Sequence, residues 1–132
     1  MGLIELWVAQ GKAIKTLFAR YSNTYKTFEQ AGVGAYQVPS GKKLKVGKVL
    51  VWSATANQFP VLGYGDSAVD GTTAPTNAVY FGWNGSYGSV FTCATAYVVY
   101  VFEVYFEIPG GKYPFVSFAQ GGSHVMIMGV EE

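Results

Sequence analysis

The chain has one histidine, His124 in GGSHVMIM, and any acid–base or nucleophilic chemistry would have to run through it. A serine or cysteine nucleophile needs a base within hydrogen-bond reach and a third group to orient that base. Ser123 lies too close along a strand to serve. Cys93 sits in VFTCATAYVV, which reads as a strand with the thiol as a buried small hydrophobe. No nucleophile, base and orienter assemble, so the chain is read as a non-enzyme, with His124 half-exposed at the start of the last strand.

Asp66 and Asp70 flank SAV in a polar segment and could together hold a hard cation such as calcium. The spacing is not that of an EF-hand and further acidic ligands are missing. Asx turns, each aspartate bonding its own following amides, account for the pair without a metal. Glu103 and Glu107 share one face of one strand, a solvated or interface edge rather than a glycosidase pair. Tyr64, Trp83, Tyr87 and Tyr80 lie in or near loops with Asn84 and Asp66 as hydroxyl partners, the chemistry of a sugar platform. The candidate contacts with a ligand or partner are therefore Tyr64, Asp66, Asp70, Trp83 and Tyr87. No phosphate-cradling GxxxxGK[ST] occurs, and no cofactor is implied.

The elements that must position these residues are set by composition. Of 132 residues, 50% are hydrophobic and 17% aromatic, and only 13% are charged, against about 25% in ordinary soluble domains. Residues 1–132 are read as one domain, long enough to bury roughly two-thirds of its unfolded surface. Too little charge is present to cover the exterior, which implies oligomerisation or docking on a larger assembly. A net charge of +1 offers no long-range attraction for nucleic acid or anionic lipid. Lys42, Lys43, Lys45 and Lys48 read as solvated lysines that guard an edge strand. A lone cysteine excludes a disulfide framework within the chain. Glu5 stands where a signal peptide would be basic, and the apolar run from Ala94 to Phe102 is too short to span a bilayer.

Glycine, tyrosine, phenylalanine, valine and threonine dominate, the composition of strands joined by tight turns. LIELWVA, GAYQV, KLKVGKVLVWSAT, AVYFGW, SVFTCAT, YPFVSFA and HVMIMGV read as strands. From Tyr97 to Ile108 the even positions are all apolar, which predicts a long strand with one buried face. Its other face runs from Tyr97, Val99 and Val101 to Glu103, as for an outer sheet face partly covered by a neighbouring subunit. Residues 14–28 also fit helical spacing, but their threonines and serine favour strands. Gln10 and Gly11 could turn the first segment back on the next, and residues 1–32 are left open between a hairpin, a helix and an inserted arm. Residues 64–77 read as a long exposed loop.

VPSGK at Val38 and IPGGK at Ile108 repeat one device in opposite halves of the chain. Proline begins the turn, a following glycine can take positive φ in a type II turn, and lysine opens the next strand. A two-sheet fold follows, each half giving strands to both sheets.

At YQVPSGKKLKVGKVLVWSAT, GYGD, EIPGGKYPFVSF and VMIMGVE the chain resembles small β-sandwich structural proteins of tailed bacteriophages: capsid decoration proteins and the heads of fibre or tail proteins. The resemblance covers residues 33–130. It implies an all-β, jelly-roll-like antiparallel β-sandwich in a virion, a homotrimer that contacts itself and capsid or other virion proteins. The expected role is a non-enzymatic decoration protein docked on a capsid shell. The alternative is a head domain that binds a receptor or a host surface glycan through the 64–77 loop and Trp83. No contact with nucleic acid or membrane is expected.

Overall fold

The computed structural model describes residues 2–81, 91–118 and 122–132. A short helix, α1 (Leu3–Ala9), precedes eleven strands: β1 (Lys15–Arg20), β2 (Tyr25–Thr27), β3 (Glu29–Gln30), β4 (Gly34–Ala35), β5 (Lys43–Ser53), β6 (Val61–Gly65), β7 (Asp70–Gly71), β8 (Val79–Phe81), β9 (Tyr100–Pro109), β10 (Tyr113–Ser117) and β11 (Ser123–Glu131). They form two antiparallel sheets, ordered β4-β3-β1-β11-β5-β9 and β7-β2-β10-β6-β8. The chain is an all-β sandwich, as its composition predicts.

Period-two burial builds the core between the sheets. Along β5 the side chains of Leu44, Val46, Val49, Val51 and Ser53 are buried while their neighbours reach the outside. Leu17, Val125 and Ile127 join them from the first sheet and meet Leu62 and Val116 of the second. The one break in that alternation is at Gly47, where the register against both β9 and β11 shifts. A bulge there bends the longest strand of the first sheet.

The repeated turns close as expected. The Lys42 amide donates to the Pro39 carbonyl at 3.1 Å and the Lys112 amide to the Pro109 carbonyl at 3.3 Å. Gly41 and Gly111, at the third position of each turn, have φ of +82° and +83°, backbone that only glycine enters without a steric cost. Both halves of the chain supply both sheets.

Several expectations are corrected. LIELWVA is helix α1, not a strand. Gln10 and Gly11 end that helix instead of turning a hairpin: Gly11 has φ +76°, its amide donates to Val8, and the Lys12 amide donates to Trp7. This is the Schellman stop. Residues 15–30 are neither arm nor hairpin, because β1 lies inside the first sheet and β2 in the second. SVFTCAT forms no strand over its described part; Cys93 is fully buried but makes only an isolated bridge with Gln58. GAYQV contributes just Gly34–Ala35. The long strand begins at Tyr100, and its inner face is half-buried up to Ile108, since β9 lies at the edge of its sheet. The 64–77 loop loses Tyr64 and Gly65 to β6 and Asp70 and Gly71 to β7. The lysine-rich strand β5 is not an edge: it lies between β11 and β9.

Candidate functional site

The nominated residues do not converge. Tyr64 is half-buried on β6, its ring 5.6 Å from that of Phe81. Asp66 accepts hydrogen bonds from Asn77, at 2.7 Å, and from Lys112. Those bonds hold its carboxyl below the usual carboxylate range. Asp70 accepts from Asn23 at 2.9 Å, Ser22 at 2.7 Å and Lys26 at 3.3 Å. Its carboxyl is held down at about 2, chiefly by the Asn23 and Ser22 bonds. Neither aspartate caps its own following amides; each ties one strand or loop to another, which corrects the Asx-turn expectation. Trp83 and Tyr87 lie outside the described residues, as does Asn84.

The other chemistry-bearing groups are equally committed. Ser123 is buried and its hydroxyl meets that of Ser53 at 3.2 Å. Glu103 and Glu107 pair with Lys48 at 3.5 Å and Lys43 at 3.0 Å. His124 is exposed on the outer face of β11, edge-on to Trp52 with ring centroids 5.1 Å apart. Burial, with Arg20 adding to it, lowers the His124 pKa from its ordinary value.

The feature that stands out is the outer face of the first sheet. Antiparallel register sets Phe18 beside Met126, Met126 beside Leu50, and Leu50 beside Val101, one apolar row across four strands. Two residues further along, Arg20 stands beside His124 and His124 beside Trp52. Val99 and Val101 are 55% and 54% exposed, and Tyr97, whose ring lies 5.9 Å from that of Trp52, is 72% exposed. Tyr97 has φ +62°, a rare conformation for a bulky residue that marks local strain. Arg20, Trp52, His124, Phe18, Met126 and Val99 line a shallow groove of about 240 Å³.

Helix α1 covers the opposite end of the same face. Ile4 and Trp7 pack against Met128 and Val130, and Trp7 and Leu3 lie directly over Gly47. Glu5 pins the helix to Lys48 at 2.6 Å. The helix thus buries half of an apolar outer face and leaves the half around Leu50 bare. Sequence reasoning found the Val99 and Val101 part of this surface but missed Phe18, Leu50, Trp52 and Met126. Their signal was present: Leu17–Ala19, Val49–Trp52 and Val125–Met128 are runs of consecutive apolar residues within strands, and only alternate members of such a run can meet the core.

No protein-family model, no curated protein and no solved structure matches the chain.

Proposed function

We propose that this chain is a non-enzymatic structural protein of a virion, a capsid decoration protein of a tailed bacteriophage that associates with copies of itself and docks on the capsid shell. The observation that carries this reading is the bare row Phe18–Met126–Leu50–Val101, apolar side chains presented outward from an ordered sheet. A surface of that kind is stable in water when another protein covers it. The chain's tyrosine and tryptophan neighbours on the same face, Tyr97 and Trp52, are the residue types enriched where proteins meet.

The winding of the sandwich supports the same class. Strands pair from the outside inwards: β1 with β11, β2 with β10, β5 with β9 and β6 with β8. We read nested pairs of that order, laid over two sheets, as support for a jelly roll, an architecture found in viral capsid proteins. The trimer implied by the resemblance is one way to cover the apolar face.

The test is adsorption. Purified full-length protein is mixed with shells stripped of their decoration protein, and the bound fraction is separated by sedimentation. Saturable binding is the expected result, and no binding at any concentration overturns the reading.

A further inference from the structure

We propose that the bare half of the first sheet's outer face joins two copies of this chain about a two-fold axis, with Arg20 of each copy paired to Glu103 of the other. The inference rests on the self-association just proposed and gives it a geometry.

Charge accounting points to the pair. Every lysine of the chain has a carboxylate within ion-pair distance. Among the described residues Arg20 is the one basic side chain without such a partner, and it stands at the rim of the apolar groove. A guanidinium is always charged and prefers a carboxylate held in its plane. On the same face the carboxylate with capacity left is Glu103. Its partner Lys48 lies 3.5 Å away and is bound more closely by Glu5, at 2.6 Å.

Position makes the two residues complementary. Arg20 lies on β1, two residues beyond the apolar row on the side of His124. Glu103 lies on β9, two residues beyond the row on the opposite side, in register with Lys48. They occupy opposite corners of the patch, three strand spacings and four residues apart, a diagonal of about 20 Å. A two-fold axis in the plane of the face, perpendicular to that diagonal, carries each corner onto the other. Two equal ion pairs then flank one apolar centre, the self-complementary arrangement an isologous contact requires. That axis runs about midway between the strand direction and its perpendicular. The strands of the two copies therefore cross near a right angle, one of the two ways in which sheets pack face to face.

The experiment uses the full chain and measures mass by light scattering and sedimentation over a range of concentrations. Wild type is expected to be a reversible dimer. Arg20→Glu and Glu103→Arg are each expected to weaken it at least about 30-fold, because each faces like charges across the contact. The double variant Arg20→Glu/Glu103→Arg restores the swapped pairs and is expected to regain most of the lost affinity. Circular dichroism checks that the variants fold; should a charge variant misfold, Val101→Lys at the exposed edge is expected to give a folded monomer. A wild-type monomer at all concentrations, a trimer, or a double variant no tighter than the singles overturns the two-fold contact. A trimer would do so while leaving self-association intact, and failure to adsorb to shells would end the docking reading while leaving a dimer intact.

Discussion

Val38 and Lys112 are hydrogen-bonded through their backbones, the Val38 amide donating to the Lys112 carbonyl at 2.9 Å, and Val38 in turn accepts from Gly111 at 2.7 Å. The two repeated turns are therefore one structure. They meet because β5, launched by the first, pairs with β9, ended by the second, with Lys43 opposite Pro109. Gly110 lies where they touch. A methyl group there would stand 2.6 Å from the Lys42 carbonyl oxygen and 2.9 Å from that of Pro39. The Pro39 oxygen cannot retreat without breaking the turn bond it accepts from the Lys42 amide. Gly110→Ala is expected to cost roughly 1–3 kcal/mol by overpacking. Gly111→Ala, with open space but φ +83°, is expected to cost about 1–2 kcal/mol, the penalty of a Cβ in left-handed backbone. Urea unfolding midpoints measure both, and an unchanged midpoint for Gly110→Ala would show that the turns are not locked together.

Gly47 does the corresponding work for the helix. A methyl group at this bulge would lie 2.9 Å from the Trp7 ring and 3.0 Å from the Leu3 side chain. The sandwich core is on the other face, so Gly47→Ala is expected to lift α1 without unfolding the sheets. Overpacking of about 1–3 kcal/mol corresponds to roughly fivefold to a hundredfold or more in local opening. Trypsin cleavage at Lys12 and Lys15 is the readout, faster by that factor at an almost unchanged melting temperature. Equal cleavage rates in the two proteins would mean that the helix is held by something other than its seat on Gly47.

Much of this fold is legible where burial alternates with period two. KLKVGKVLVWSAT, YPFVSFA and HVMIMGV carry their inner faces in the sequence, and the paired turns announce their glycines. The helix was illegible for a physical reason. Seven residues give too few turns for a periodic signal, and Ile4 and Trp7 bury against a bulge on the outside of a sheet, a contact no local pattern encodes. Asp66 and Asp70 stand in the sequence as candidate contacts with a ligand or partner, but the groups that hold them, Lys112 and Asn77 for one and Ser22, Asn23 and Lys26 for the other, lie 11 to 48 residues away, beyond any local pattern. The apolar outer face was half-legible: Val99 and Val101 showed it, whereas Phe18 and Met126 needed the register of β1 against β11 to bring them together.

Asp70 gives the clearest acid-range prediction. Hydrogen bonds from Asn23 and Ser22, then Lys26, favour its ionised form and hold the carboxyl at about 2, below the ordinary value near 3.9. A group depressed in the folded state contributes stability above its unfolded pKa and loses it as pH falls through the folded one. The window is thus from about pH 4 down to about 2. The side chain is 48% exposed, so solvent screening keeps the effect small. Carbon-detected titration should give a midpoint of about 2 in the wild type and a higher one in Asn23→Ala. A normal carboxylate midpoint in the wild type would break the argument.

His124 acts at higher pH and on the face proposed to join two copies. Burial, with Arg20 adding repulsion, disfavours its charged form, so its folded pKa lies below the unfolded value of about 6.5. The unfolded chain then binds more protons in the interval between the two values, and stability falls as pH drops below about 6.5 through the folded pKa, levelling off beneath it. Above pH 7 the residue contributes no slope. Proton titration of the imidazole should give a midpoint below 6.5, raised in Arg20→Gln but still short of that value, because burial is the larger cause. His124→Gln should remove the slope from melting temperatures recorded between pH 5 and 7. A wild-type midpoint above 6.5 would mean that a carboxylate, not Arg20 and Trp52, governs this position.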